Sequence, residues 1–215
     1  MGYDTLVLFS MYSPILPLII LLKNIRRVTV IYAVTLLLLT IIPFFSDWFC
    51  YYSSYLFHSH NCNLIFHVYT LSIGLVIAFL FHKELRKKNL SLILLFLTTI
   101  FIFLSFFEFF YLDGYLKNDT LSNTYLTILV FSFSLVYFYH LLIEMKIANI
   151  LTHSFFWICS AFIVYFGATF SISIFEEIVR SDNMELFLAV WPIQLVTTII
   201  YNLLLTIAFW NLKKT

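Results

Sequence analysis

The sequence predicts an all-α fold: a polytopic transmembrane helix bundle of seven spans, with its N-terminus out and its C-terminus in. Three observations predict it. First, 62% of the 215 residues are apolar and 11% are charged, whereas about a quarter of the residues in a soluble domain are charged. Second, the apolar residues form runs of about 20 residues, the length that a helix needs to cross the hydrocarbon core. Third, the links between the runs alternate in charge.

Each span is an apolar run that ends where charged or polar residues begin. Four prolines lie inside or at the edge of predicted spans and can bend those helices, because each removes a backbone hydrogen-bond donor: Pro14, Pro17, Pro43 and Pro192. Seven spans use nearly the whole chain, so we expect one transmembrane domain, residues 1–215. In order, the predicted spans are 5–22, 28–49, 63–82, 89–111, 123–143, 154–175 and 186–211, separated by links 23–27, 50–62, 83–88, 112–122, 144–153 and 176–185.

The distribution of charge predicts the orientation. If the first link is cytoplasmic, ten of the 12 lysine and arginine residues lie inside, and only Lys117 and Arg180 lie outside. Basic residues in short loops are retained in the cytoplasm, so this orientation is favoured. The net charge of +1 gives no indication of a nucleic-acid partner. The expected partners are the lipid bilayer and a cytoplasmic or membrane protein.

Polar side chains recur at helical spacing on the last two predicted spans, where each set forms one stripe on an apolar helix. The two stripes can line a ligand pocket that opens outward. The alternative is hydrogen bonding between helices, which is the more common role of such residues. The sixth span carries Tyr165, Thr169, Ser173 and Glu176, and the seventh carries Gln194, Thr197, Thr198, Tyr201 and Asn202.

His67 and Glu108 are the other candidate pocket residues. His67 lies near the outer end of the third span, at a depth where it can meet Glu108 or Asp47. A histidine beside acids can form a proton-sensitive pair or part of a metal site, and a hydrogen-bonded structural histidine is the simpler interpretation. Glu108 lies about one turn from the end of its span, so we expect a solvated position at the rim.

The link 50–62 contains Cys50, Cys62, His58 and His60. Their spacing matches no strong zinc pattern. If this link lies outside the cytoplasm, a Cys50–Cys62 disulfide is the first alternative to metal binding by His58 and His60, and two free thiols are the other. No cofactor is predicted, and no catalytic residue is assigned.

Several short segments resemble a pattern in small uncharacterised bacterial seven-helix inner-membrane proteins. The resemblance covers the last three spans and implies a bacterial inner membrane and the same number of spans. It implies no activity. The segments are 137–139, 141–142, 149–151, 156–158, 165–167, 202–206 and 209–210.

These observations favour a sensor or receptor-type module with an outward-facing pocket, which signals through a separate partner. A small-molecule or ion transporter is the first alternative, and an accessory subunit of a larger membrane complex is the second. An enzyme comes last, because the chain contains neither a His-Glu-x-x-His nor a Gly-x-Ser-x-Gly motif. A retinal protein of the rhodopsin kind is also discounted, because the last span has no lysine to form the Schiff base.

Overall fold

A computed structural model describes residues 3–57, 62–85, 88–112, 119–144, 150–182 and 184–212. Within these ranges it describes side chains at 5–53, 62–85, 89–112, 119–143, 150–170 and 192–212. All regular secondary structure in the described residues is helical, which confirms the predicted fold class.

The α-helices of the described ranges follow one another with short connections. Two 3₁₀ turns, Ile25–Arg27 and Ile150–Thr152, stand between them. In chain order the helices are α1 (Tyr3–Tyr12), α2 (Ile15–Asn24), α3 (Val30–Phe57), α4 (Asn63–Glu84), α5 (Lys88–Tyr111), α6 (Thr120–Glu144), α7 (Ser154–Asp182) and α8 (Met184–Trp210).

The helices are those of an integral membrane protein. Large apolar side chains such as Phe96, Phe103 and Phe110 are more than 60% exposed, as expected of residues that face lipid. In α7, a helix of 29 residues, the apolar segment with described side chains is Ser154–Phe170. Six further segments within the described ranges are long and apolar enough to cross a membrane: Thr5–Arg27, Val30–Ser53, Asn63–Glu84, Asn89–Tyr111, Thr120–Ile143 and Pro192–Trp210.

The first predicted span consists of two helices. α1 ends at Tyr12 and α2 begins at Ile15, so Ser13 and Pro14 stand between them. The hydroxyl of Ser13 donates a hydrogen bond to the Ser10 carbonyl oxygen at 2.7 Å. The interruption agrees with the expected effect of proline, which has no backbone N–H to continue the helical pattern.

Several links predicted from charge are shorter in the structure. α3 continues seven residues beyond Cys50 to Phe57, and α6 begins at Thr120, within the predicted link 112–122. Most of the predicted link 176–185 is helical, because α7 reaches Asp182 and α8 begins at Met184. Charged residues end an apolar run without ending a helix, since a helix that projects into water tolerates them.

The chain forms two compact units. The first contains Met1–Ala33 and Val130–Thr215. Within it, α8 packs against α7, α1 and α2. Phe162 and Phe209 are fully buried in its core. Near the last turn of α8, the Asn24 amide donates to the Phe209 carbonyl oxygen at 3.1 Å, and the Lys23 ammonium lies 5.9 Å from the ring centroid of Trp210.

The second unit is Val34–Leu129 and contains most of α3, all of α4 and α5, and the start of α6. α4 packs against α5. A close approach occurs at Gly74, where a Cβ atom would lie 2.5 Å from Cε1 of Phe101 and 3.1 Å from Cδ1 of Leu126. Phe101 is itself buried and its ring stacks on that of Tyr125, with centroids 6.4 Å apart. Glycine is therefore required for α4 to approach its neighbours this closely.

Candidate functional site

A group of buried polar side chains lies at one end of α4, α5 and α6 in the second unit. α4 and α6 begin at this end and α5 finishes there. Each side chain in the group is at most 8% exposed, although the surrounding helices are apolar. We call this group the polar cluster. Its members are His67 and Thr70 on α4, Glu108 on α5, and Asp119 and Ser122 at the start of α6.

Glu108 caps a helix other than its own. Its Oε1 accepts a hydrogen bond from the Leu121 amide at 2.8 Å, and its Oε2 accepts one from the Ser122 amide at 2.8 Å and another from the Ser122 hydroxyl. These are the second and third residues of α6, whose N–H groups have no partner inside a helix. A carboxylate is well suited to this position, because the N-terminus of a helix carries partial positive charge.

Asp119 occupies the N-cap position of α6, and its carbonyl oxygen accepts the first intrahelical hydrogen bond from the Asn123 amide at 2.9 Å. An N-cap side chain commonly accepts from the N–H groups of its own helix. Glu108 already accepts from those groups, and the Asp119 carboxyl instead accepts a hydrogen bond from the Thr70 hydroxyl of α4. Two acidic side chains thus connect α6 to both α5 and α4.

The Asp119 carboxyl lies in an environment that opposes its charge. Burial raises the pKa of Asp119 above its ordinary value, and the nearby Glu108 carboxylate raises it further. The hydrogen bond from Thr70 and the proximity of His67 act in the opposite direction. Asp119 therefore lies within electrostatic range of both other titratable members of the cluster.

His67 is the member of the polar cluster with an unused polar atom. It precedes Thr70 by three residues on α4, so the two side chains share one face of the helix. The imidazole packs edge-on against Phe109, with ring centroids 5.6 Å apart. The residue is 8% exposed, and its Nε2 atom is buried with no hydrogen-bond partner among the described residues.

The solvated rim position expected for Glu108 is wrong. The side chain is 4% exposed, because the start of α6 covers it and supplies its three donors. The sequence predicts that His67 meets Glu108 or Asp47, and it does not identify Thr70, Asp119 or Ser122 as members of a site. Two signals were present in the sequence: Thr70 lies three residues after His67, and an aspartate directly before an apolar run is a typical helix N-cap.

The remaining candidate pocket residues belong to the first unit. The Tyr201 ring lies 5.0 Å from that of Tyr165 and 6.4 Å from that of Phe162, so aromatic rings fill this part of the α7–α8 contact. The Asn202 amide donates to the Ser13 hydroxyl at 2.8 Å and to the Thr198 carbonyl oxygen at 2.9 Å. The first of these joins α8 to the turn between α1 and α2, so it is a hydrogen bond between two predicted spans, the expected alternative to a pocket.

The hydroxyl groups of the stripes largely return to their own helices. Thr169 donates to the Tyr165 carbonyl oxygen at 2.9 Å, and Thr198 donates to that of Gln194 at 3.0 Å. Such bonds satisfy a threonine in an apolar helix without any ligand. Ser173 and Glu176 lie outside the described side chains, so a pocket at that end of α7 stays a prediction.

Cys50 and Cys62 are joined by a disulfide, with their Cα atoms 5.7 Å apart. This bond ties α3 to the start of α4, the end of α4 that carries the polar cluster. His58 and His60, the weak metal alternative, lie outside the described residues. Among the residues that are described, no three histidine, cysteine or acidic side chains are grouped so that they could hold a metal ion.

Comparison with known proteins identified no relative: no family model, no curated protein and no solved structure matches the chain.

Proposed function

We propose that this chain is a sensor module of a bacterial inner membrane, in which a stimulus from outside the cytoplasm acts on the polar cluster and a separate protein partner receives the signal. One observation carries the proposal: the buried His67 Nε2 has no hydrogen-bond partner among the described residues, and the imidazole lies within electrostatic range of Asp119, whose carboxyl connects the start of α6 to α4. Buried polar atoms that serve only structure are nearly always hydrogen-bonded.

The polar cluster is suited to control a helix position. Glu108 supplies the acceptor for two N–H groups of α6, and Asp119 connects the same helix end to α4. A stimulus that changed the charge or the hydrogen bonds here would change the free energy of both connections at once. This effect on two interhelical connections favours a sensing role over a purely structural one.

Two independent features support an orientation with the polar cluster outside. The Cys50–Cys62 disulfide lies at the same end of α4 as the polar cluster, and disulfides persist in oxidising compartments. The charge distribution places the same links outside, because ten of the 12 basic residues fall in the opposite set. The orientation therefore has the N-terminus out and the C-terminus in.

The proposal is tested by crosslinking at the opposite membrane face. A photo-crosslinking residue replaces Lys83, in the last turn of α4, and crosslinked products are compared in native membranes from the parent, His67→Gln and Thr99→Val proteins. Thr99 is the control, because its exposed hydroxyl donates only to the Leu95 carbonyl oxygen of its own helix at 2.9 Å.

We expect one partner protein to crosslink to the parent and to Thr99→Val in equal yield, and the yield to change several-fold in His67→Gln. A yield that is equal in all three proteins, or the absence of any crosslinked protein, would contradict the sensor role. Substrate flux into proteoliposomes that His67→Gln abolishes would instead favour the transporter alternative.

A further inference from the structure

We propose that His67 and Asp119 together bind one proton, carried by either group, and that this proton decides how firmly Glu108 holds the N-terminus of α6. The inference rests on the proposed function only in taking the proton as the stimulus; proton binding itself follows from the geometry of the cluster. The proton is taken from external water and returned to it, so no other reactant is involved.

The shared proton sets the charge of the pair. With the shared proton present, His67 and Asp119 together are neutral, either as two uncharged groups or as an imidazolium and a carboxylate. Loss of the proton leaves neutral imidazole and a second buried carboxylate within electrostatic range of Glu108. Two like charges in a buried site repel each other far more strongly than they would in water.

The positions of the two carboxylates determine which contact their repulsion weakens. Glu108 belongs to α5, whereas Asp119 stands at the first turn of α6, next to the amides of Leu121 and Ser122 that bind Glu108. Repulsion between the two carboxylates therefore opposes the Glu108 cap and leaves the hydrogen bond from Thr70 to Asp119 intact. The unpartnered Nε2 of His67 gives the described cluster a second site, besides the Asp119 carboxyl, for this proton.

The sign of the pH dependence follows from the raised pKa of Asp119. The folded protein binds this proton more tightly than the unfolded chain, so Asp119 favours the folded state below the ordinary carboxyl pKa. That contribution is lost as the pH rises through the raised pKa. The titratable groups facing Asp119 are His67 from α4 and Glu108 from α5.

Other titratable groups in the sequence near this end are Asp47 on α3, and Asp113, Lys117, His58 and His60, which lie outside the described residues. The test therefore includes Asp47→Asn as a control for a carboxylate on a different helix. Asp119→Asn removes one charge permanently and so imitates the protonated cluster. Glu108→Gln removes the cap itself.

The experiment measures hydrogen exchange at the Leu121 and Ser122 amides in lipid nanodiscs across a range of pH, corrected for the intrinsic pH dependence of exchange. The Ala33 amide is the internal reference, because it donates to the Thr29 carbonyl oxygen at 2.9 Å at the start of α3. Infrared difference spectra recorded over the same pH range follow the carbonyl stretch of a protonated carboxyl group.

In the parent protein and in Asp47→Asn, we expect protection of the two amides to fall several-fold as the pH rises, with the midpoint above the ordinary carboxyl range. In Asp119→Asn, protection should be high and independent of pH, and the infrared band should be lost. In His67→Gln, the midpoint should move to lower pH, because the pair loses one of its two sites for the proton. Glu108→Gln should show low protection at every pH.

Protection with the same pH dependence in Asp119→Asn as in the parent would overturn the proton site, as would an unchanged midpoint in His67→Gln. These outcomes are separate from the crosslinking test. If protection depends on pH but His67→Gln does not change the crosslinking yield, the sensor role is refuted and the proton site stands. A change in crosslinking without pH-dependent protection would keep the sensor role and require a different stimulus.

Discussion

Glu108 shows how a single residue can connect two helices in an apolar environment. A buried carboxylate is unfavourable unless hydrogen bonds satisfy it, and here three donors from α6 do so. The same three donors need an acceptor, because two of them are N–H groups of a helix N-terminus. The side chain and the helix end therefore satisfy each other, and neither would be stable alone in this position.

We expect Glu108→Gln to lower the free energy of unfolding by about 1–3 kcal/mol. The NH₂ group of glutamine is a hydrogen-bond donor, and it would face the donors of Leu121 or Ser122, which would then lose an acceptor. The measurement is reversible unfolding in mixed detergent and SDS, followed by circular dichroism. Thr99→Val on the same helix should change the unfolding free energy by less than about 0.5 kcal/mol. Equal midpoints for the two variants would show that the cap contributes nothing to stability.

The sequence allowed part of the polar cluster to be predicted. His67 and Glu108 attract attention because ionisable residues are costly inside a membrane. Asp119 is inconspicuous, because it stands in a link where acidic residues are ordinary. Its importance depends on the contact between the start of α6 and Glu108 of α5, and that contact comes from packing between helices rather than from any local sequence pattern.

Of the two glycines described, Gly74 in α4 lies closer to a neighbouring side chain than Gly167 in α7 does. A Cβ atom on Gly74 would lie 2.5 Å from the buried ring of Phe101, whereas one on Gly167 in α7 would lie 3.5 Å from the ring of Phe131, at ordinary contact distance. Small residues at helix contacts let backbones approach in membrane proteins. The two glycines therefore form a matched pair with different expected roles.

We expect Gly74→Ala to destabilise the protein by about 1–3 kcal/mol, the usual cost of overpacking a buried contact. Gly167→Ala should be neutral or stabilising by up to about 1 kcal/mol, because alanine is the better helix former. The same SDS unfolding measurement compares the two variants. If both changed stability by the same amount, the close approach at Gly74 would not be a determinant of packing.

Helix positions were more predictable from the sequence than helix ends. A bilayer requires about 20 apolar residues in each span, so the apolar runs indicated where helices lie. The ends of α3 and α7 were missed because residues such as Tyr51 and Asp182 are polar enough to end an apolar run and still helical. The break between α1 and α2 was not predicted, because a proline alone does not end a helix: Pro17, Pro43 and Pro192 lie inside helices.

For the molecule as a whole, the disulfide and the charge distribution both bear on orientation. The Cys50–Cys62 bond marks one end of α3 and α4. The basic residues mark the opposite end, since Arg27 precedes α3 and Lys83 lies in the last turn of α4. These two chemical signals are independent of each other, because one depends on the redox compartment and the other on membrane insertion.

We expect an impermeant reductant and an impermeant maleimide, added together to spheroplasts, to label two cysteines of the chain. Labelling should not occur without the reductant, because Cys50 and Cys62 form the disulfide. Cys159 is the control, since it is a buried free cysteine and should react only after denaturation. Labelling of Cys50 and Cys62 before reduction would contradict the disulfide. Activity of a periplasm-active reporter fused after Thr215 would contradict the orientation.

The disulfide also determines what a break in the chain would do. Cys50 and Cys62 are 12 residues apart, so a single peptide cleavage between them leaves α3 and α4 in one covalent molecule. The cut ends cannot separate until the sulfur–sulfur bond is reduced. This link therefore offers a position at which the polypeptide can be nicked, or an epitope inserted, without losing the covalent connection between the two helices.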